Sequence, residues 1–571
     1  MLCLPVGDEE RRAYAAFRKL AESLCSAGMA VLRFSYDGTG DSAGTLDDPG
    51  RSKAWVDSIV EAVGVLRSVG VDRVGGVGMR LGATLLTNAL TALDQRLDSV
   101  VLWDPCVSGH EFVRYQQALM GTLPGEPVVD ETGFDTPGYF FTSSLADDLR
   151  GLEIVPPRHP AVPVLVLTRP DRPTRRLERA LADGPIEWAE ALGQEVLLDV
   201  PPLSAEVPRS TIATITEWVS TSLGGPESPV ALPADLAHPS AVVGVDAEGR
   251  TVRERVIRLG EIGLFAIATE PERGGSGPWM VFLNVATEHH IGPGRQWVEL
   301  ARRWAHHGLR SVRVDFSGVG DSPVRPTQAE NVTYAPEWLD DLKVISAGLS
   351  PDSPSDVAWI GLCSGGYGAL EASLLVGARG AYVFNPSFSS TSMNKGSAEA
   401  DPRRRAFRPY PVPLVRLSKK HGRTAAMIWR ACQQVVVGLA PLAVPASAVR
   451  ADVDVLLICG PDDAGPLRDS RYWRWWGEAR LRRTGRFELV VVPALDHVLL
   501  FSEGRRPAVE VLTDHVLNRY GDGSRSEAAG PSNPARSQTS PGREPAPAPA
   551  AVSTGPESSR GDRHPNAPAA T

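Results

Sequence analysis

Short, continuous apolar runs alternate along most of this chain with longer stretches of helical periodicity. In the first part the runs are Leu2 to Pro5, Val31-Leu32-Arg33-Phe34, a segment ending in the turn Gly78 to Gly82, Val101-Leu102-Trp103-Asp104-Pro105, and Glu195 to Val200. In the second they are Val252 to Leu259, Leu264 to Thr269, Val281 to Asn284, Val312-Arg313-Val314, Val357 to Ile360, Tyr382-Val383-Phe384-Asn385-Pro386, Val453 to Cys459 and Phe487 to Val492. Apolar runs without alternation suit strands buried on both faces, and their alternation with helical segments predicts βαβ units in a mostly parallel sheet flanked by helices.

The order of these elements repeats. The loop Asp37-Gly38-Thr39-Gly40-Asp41-Ser42 is answered by Asp315-Phe316-Ser317-Gly318-Val319-Gly320-Asp321-Ser322, Trp55 and Asp57 by Trp338 and Asp340, and Gly78 to Gly82 by Gly361 to Gly365. A repeat of this length predicts two α/β domains in tandem. We expect the first over residues 1–221, a Pro, Ser and Ala rich linker over 222–240, and the second over 241–520. The tail 521–571 is Pro, Ala, Ser, Gly and Arg rich without apolar periodicity, so it is expected to be disordered. The two edge strands Val252 to Leu259 and Leu264 to Thr269 have no counterpart in the first copy. That copy has either lost them or starts inside a longer gene.

Composition narrows the class. Hydrophobic residues make up 42% and charged residues 22% of the 571, a soluble globular mixture with no run long enough to span a membrane. With no leader pattern after Met1, a cytoplasmic location is expected. The six cysteines (Cys3, Cys25, Cys106, Cys363, Cys432 and Cys459) form no C-x-x-C pair, so neither a disulfide framework nor a metal site is predicted, and no cofactor is implied. A net charge of −9 argues against a nucleic-acid partner.

The candidate chemistry lies in the second copy. Gly361-Leu362-Cys363-Ser364-Gly365 follows an apolar strand and opens into small residues that suit a helix start. Glycines two residues either side let strand and helix close around a strained, projecting side chain, which is the pattern of a nucleophile elbow. A thiolate at a helix N-terminus is favoured by the unpaired amides there, which predicts Cys363 as nucleophile. Later in the chain, Gly460-Pro461-Asp462-Asp463 and Pro493-Ala494-Leu495-Asp496-His497 each follow an apolar strand. That order supplies His497 as the base and Asp463 as its orienting acid, with Asp462 the alternative. The oxyanion donors are expected at the Ser364 amide and in the loop around Val285 and Ala286. In the same loop, Glu288, His289 and His290 read as substrate contacts or as a solvated loop, and Arg295 reads as an anion site or as a helix-face pair.

The first copy has Gly78-Met79-Arg80-Leu81-Gly82 at the elbow and no histidine between His159 and His238, so it is expected to be silent. Arg80 reads either as the head of a remnant anion site or as a partner of Asp37 or Asp104. Residues 387–450 of the second copy are the expected cap, and its lysines and arginines from Lys395 to Arg430 face only Glu399 and Asp401. Such a cap is a solvated face or an attractor for an acidic substrate or carrier protein. Trp473, Trp475 and Trp476 are expected to pack.

With elbow, acid and histidine in this order, the chain resembles the α/β-hydrolase superfamily, especially the serine aminopeptidase-like hydrolases found beside bacterial exopolysaccharide and natural-product genes. Arg33 to Ser42 and Arg313 to Ser322 are similar to that group's R-x-D-x-x-G-x-G-D-S segment, with Ser35 replacing the first aspartate. Serine is the usual nucleophile there; cysteine resembles the G-x-C-x-G boxes of dienelactone hydrolases and polyhydroxyalkanoate synthases. The resemblance implies hydrolysis or acyl transfer on an ester, thioester or amide, with a small-molecule or peptide acyl substrate. Two other readings stand beside it: a non-catalytic binding or scaffold protein, and an accessory tailoring protein for a ribosomally made peptide of the linaridin type, working with a partner protein.

Overall fold

The computed structural model describes residues 1–521, apart from 94–95, 158–161, 183–185, 201–204, 225–237, 246–248, 354, 387–443 and 470–476. Most of the expected linker, nearly all of the expected cap, the three tryptophans Trp473, Trp475 and Trp476, and the tail from 522 onward therefore lie outside the described residues. Within Met1–Ser526 the chain forms one compact unit built on two large sheets and one small one.

The first sheet contains β1 (Leu2–Cys3), β2 (Gly75–Met79), β3 (Ser99–Trp103), β7 (Val164–Thr168) and β8 (Ile186–Glu190), in the order β1-β2-β3-β7-β8. All its pairings are parallel. Between β3 and β7 the chain adds a small antiparallel sheet of β4 (Val129–Asp130), β5 (Gly133–Thr136) and β6 (Tyr139–Thr142). The second sheet has nine strands: β9 (Ser240–Val245), β10 (Thr251–Leu259), β11 (Leu264–Pro271), β12 (Ser276–Phe282), β13 (Leu309–Val314), β14 (Val357–Leu362), β15 (Gly380–Phe384), β16 (Asp454–Cys459) and β17 (Phe487–Val491). Their order is β17-β16-β15-β14-β12-β13-β11-β10-β9, parallel from β17 to β13 and antiparallel beyond.

Strands β14 and β16 are buried at every position, because helices cover both faces of the parallel part. Two apolar clusters result in the second half. One contains Val281, Trp359, Val383 and Leu457, the other Phe282, Ile360, Phe384 and Ile458, as side chains alternate across the pleat. The helix Asp8–Ser26 buries Ala13, Phe17, Leu20 and Leu24, an i, i+3, i+4 stripe facing the first sheet.

Three expectations on elements are corrected. Glu195 to Val200 is not the last strand of the first sheet: Glu195–Leu198 is a helical turn with Leu197 and Leu198 buried, and a short apolar run does not by itself distinguish the two. The outer strand is Ile186–Glu190, whose half-exposed, mixed composition reflects an edge position. Val31 to Phe34 forms only a single bridge, between Leu2 and Arg33, so the first sheet stops where the second continues into β13. Finally, the end of the expected linker, Ser240, begins the edge strand β9.

The two halves meet through equivalent residues of the repeated segment. Arg313 pairs with Asp41, and Arg33 pairs with Asp321. Arg295 Nε donates to the Gly40 carbonyl at 2.8 Å, and Arg18 Nη1 donates to the Gly320 carbonyl at 2.6 Å. His290 bonds Asp41, while Tyr14 donates to Asp321. A seam in which residue i meets j and the equivalent of j meets the equivalent of i is isologous, the pattern of a two-fold dimer contact. Here both partners are in one chain.

Candidate functional site

Cys363 sits between β14 and the helix Ser364–Leu375 with φ 54° and ψ −111°. For a non-glycine residue this is a strained backbone that surrounding contacts must enforce. Packing accounts for it: a Cβ on Gly361 would lie 2.2 Å from the Gly365 backbone, and one on Gly365 would lie 2.4 Å from the Asn284 carbonyl. Only glycine fits at either position, so strand and helix approach closely and the turn between them is forced. The Cys363 amide is fixed to the Phe384 carbonyl at 3.1 Å.

The loops after β16 and β17 bring the other two predicted side chains to the sulfur. His497 Nε2 lies 3.2 Å from Cys363 Sγ, and His497 Nδ1 lies 2.8 Å from Asp463 Oδ1. The hydrogen bond to Asp463, then that to Cys363, raises His497 from its ordinary value to about 10 against a smaller opposing effect of burial. The ring therefore holds a proton on each nitrogen at neutral pH. Asp463, and not Asp462, is the carboxylate in contact with it. The thiol is buried, whereas the imidazole edge is exposed.

Asn385 joins the two loops. Its Nδ2 donates to the carbonyls of Asp496 and His497 at 2.8 and 3.0 Å, and its Oδ1 accepts the Gly460 amide at 2.8 Å. In the sequence Asn385 served only as a landmark of the repeat. Its position at a strand end beside the elbow was the available signal.

The remaining predicted residues separate. Ser364 opens its helix, so its amide has no carbonyl one turn back to bond. The Ala286 amide donates to Ser364 Oγ at 2.8 Å, and Ala286 itself has φ 51°. Val285 is buried and its carbonyl accepts the Glu288 amide at 2.9 Å. Glu288, His289 and His290 are neither a solvated loop nor grouped around the sulfur. They face the first half: Arg11 pairs with Glu288, Tyr14 stacks on His289 at 3.7 Å, and His290 bridges Asp41 and Asp315 at 2.8 Å each. Arg295 is buried, donates to the carbonyls of Gly40, Ser42 and Gly44, and pairs with Glu299 one turn along its helix at 3.9 Å, so it is a helix-face pair tied into the seam and not an anion site. A cavity of about 80 Å³ opens along the seam, lined by Arg11, Tyr14 and Arg18 on one side and Ala286, Thr287 and His289 on the other.

In the first half Arg80 pairs with Glu9 at 3.2 Å and Asp104 at 3.1 Å, all three buried. Of the expected partners Asp104 is present and Asp37 is not; Asp37 pairs with Arg51 instead. With both carboxylates on it, the guanidinium is already neutralised. Among the described residues no group of side chains is arranged to hold a metal ion, and no helix is long and apolar enough to cross a membrane.

Residues 275–511 match the model of a family described as the alpha/beta hydrolase family. No curated protein matches the chain. Solved structures similar to it include the Pyrococcus furiosus esterase Pf2001, at 13% identity and TM-score 0.29 over 47% of this chain and 93% of that one. A Xanthomonas campestris α/β serine hydrolase without lid aligns at 16% identity and TM-score 0.27 over 47% and 95%. A dienelactone hydrolase from Anabaena variabilis aligns at 14% identity and TM-score 0.26 over 48% and 99%. The family match spans the elbow at Cys363 and both loops that reach it, and places an alpha/beta hydrolase domain in the second half of the chain.

Proposed function

We propose that the second half, residues 241–520, is an acyl hydrolase that acts on an ester or thioester through an acyl-thioester on Cys363, and that the first half, residues 1–221, performs no chemistry. The observation that carries this reading is the unbroken line from Cys363 Sγ through His497 to Asp463 at 3.2 and 2.8 Å, on a backbone strained so that the sulfur projects.

In the first step Sγ attacks the carbonyl carbon. The proton shared between Sγ and His497 Nε2 stays on the ring and passes to the leaving oxygen or sulfur as the acyl C–O or C–S bond breaks. Asp463 holds the ring through Nδ1 and stabilises its charge. The Ser364 amide is the first donor to the carbonyl oxygen as it gains charge, and the Ala286 amide becomes the second once it turns from Ser364 Oγ, its partner at rest. Water, deprotonated by His497, then attacks the thioester, giving the free acid and restoring the thiol. An amine or alcohol in place of water would give transfer, which uses the same residues.

Intact-mass spectrometry after exposure to activated esters and thioesters tests the reading. An acyl adduct is expected on the wild type, none on Cys363→Ala, and slow formation on His497→Ala. A folded wild type that forms no adduct across a chemically broad panel would overturn it in favour of a binding or scaffold role.

A further inference from the structure

Two loops flank Cys363: the one after β12, which carries Ala286, and the one after β17, which carries His497. Both are held from the first half of the chain. We infer that the first half is a built-in positioning element for the catalytic centre, with Asp135 setting the histidine loop and Tyr14 setting the oxyanion loop. This rests on the proposed catalytic role of Cys363 and His497.

The histidine loop is a tight turn. The Asp496 carboxylate accepts the amides of Val498, Leu500 and Phe501 at 2.9 to 3.1 Å, and Leu499 has φ 61°. The turn runs straight into the helix Ser502–Tyr520, whose N-cap residue, Phe501, supplies no side-chain cap. A helix start without a cap leaves amides that need acceptors. Asp135, buried on β5 of the first half, supplies one: its carboxylate oxygens accept the Ser502 amide at 3.2 and 3.3 Å. Three residues along the same hairpin, the Gly138 amide donates to the Leu500 carbonyl at 3.2 Å. Arg506, one turn into the helix, stacks over Phe140 at 4.5 Å. The hairpin therefore grips the segment on the far side of the turn from His497.

The same hairpin reaches the other loop. A Cβ on Gly294 would lie 1.9 Å from the Gly138 carbonyl, so the backbones touch. Upstream in that loop, Tyr14 lies flat on His289 with ring planes 9° apart. Burial lowers His289 to about 3, so the stacked ring is neutral. Asn284 Nδ2 ties the loop to Asp315 Oδ1 and to the Glu288 carbonyl at 2.8 and 2.9 Å. Asp315 is in turn bonded to His290, which reaches Asp41 of the first half. Loops that a single-domain enzyme would have to steady with its own residues are here steadied by the other half. Misplacement of a reacting group by about 1 Å can cost about 100-fold in rate, so loss of these contacts should act on turnover and leave apparent affinity largely unchanged.

The test uses the full chain. Asp135→Ala is expected to lower the acylation rate about 10- to 100-fold with KM changed less than about 3-fold. It should also remove the part of the pH profile of Cys363 alkylation by iodoacetamide that depends on His497. Asp135→Asn, which keeps a carbonyl to accept the Ser502 amide, should restore most of the rate. Tyr14→Leu, whose ring borders the open cavity, gives an independent arm if Asp135→Ala does not fold, with an expected loss of about 10-fold. Folded variants with the wild-type rate and alkylation profile would overturn the inference. If the wild type and His497→Ala alkylate with identical pH profiles, the catalytic reading fails first and takes this one with it. A His497-dependent wild type that the variants leave untouched overturns positioning alone.

Discussion

The two elbows have nearly the same backbone and opposite contents. Arg80 has φ 54° and ψ −123°, Cys363 has φ 54° and ψ −111°. The Arg80 amide bonds the Trp103 carbonyl at 3.0 Å as the Cys363 amide bonds that of Phe384 at 3.1 Å. A Cβ on Gly82 would strike the Leu4 carbonyl at 2.2 Å, as one on Gly365 would strike that of Asn284 at 2.4 Å. The strain therefore belongs to the packing of strand, helix and glycines, and it is present in a half whose elbow carries an arginine. What differs is the side chain the turn presents and what waits for it. Cys363 meets a histidine held by an aspartate and Asn385. Arg80 meets two carboxylates, one of them Asp104 at the position of Asn385, with Gln194 bonded to that carboxylate in turn.

Restoring the missing atom alone should not restore the chemistry, and this sets the largest contrast. Cys363→Ala is expected to reduce acyl-enzyme formation at least about 1000-fold, while Arg80→Cys yields no acylated first half, because the side chains paired at that turn among the described residues are carboxylates, Glu9 and Asp104. Peptide mapping of the acylated protein checks both. Next in size, His497→Ala and Asp463→Asn should slow acylation about 100- to 10,000-fold, the range of a positioned acid–base group, whereas Asp462→Asn stays within about 3-fold of wild type in the same single-turnover assay.

For the first elbow the expected loss is in stability. Arg80→Met leaves Glu9 and Asp104 facing each other without a cation, at a cost of about 3–5 kcal/mol in denaturant unfolding, and the protein that remains folded should acylate normally. A pH dependence follows from the seam. Burial opposes the charge on His290, but Asp41 and Asp315 outweigh it and raise the ring to about 10, above the unfolded value near 6.5. A raised histidine stabilises the fold fully below about pH 6.5, and that contribution is lost as pH rises through about 10. Unfolding midpoints between those pH values should fall for the wild type by more than for His290→Asn. The smallest effect is expected from Ser364→Ala. It frees the Ala286 amide and leaves the Ser364 amide in place, so acylation should change less than about 3-fold, against 100-fold or more for true loss of an oxyanion donor.

Spacing and order along the chain were enough to single out the three side chains that meet at Cys363, because an elbow of this kind is written in consecutive residues and the loops that reach it follow later strands. Apolar runs marked β12 to β16 because both faces of these strands are buried, so their composition is uniform. The reading failed where burial is one-sided or local. Ile186–Glu190 is an edge strand with polar positions, and Glu195–Leu198 is an apolar turn of helix.

The sequence by itself determined the repeat, the parallel architecture, the arginine at the first elbow and which three side chains, Cys363, His497 and Asp463, come into contact, since each depends on local pattern or on chain order. Only the tertiary structure decided what the first half is attached to. Glu288, His289 and His290 read as substrate contacts or a solvated loop, and Arg295 as an anion site or a helix-face pair, until their partners, Arg11, Tyr14, Asp41 and the carbonyls of residues 40 to 44, were placed against them. Those partners lie hundreds of residues away in the sequence, and pairing between surfaces depends on shape and distance that no local pattern encodes.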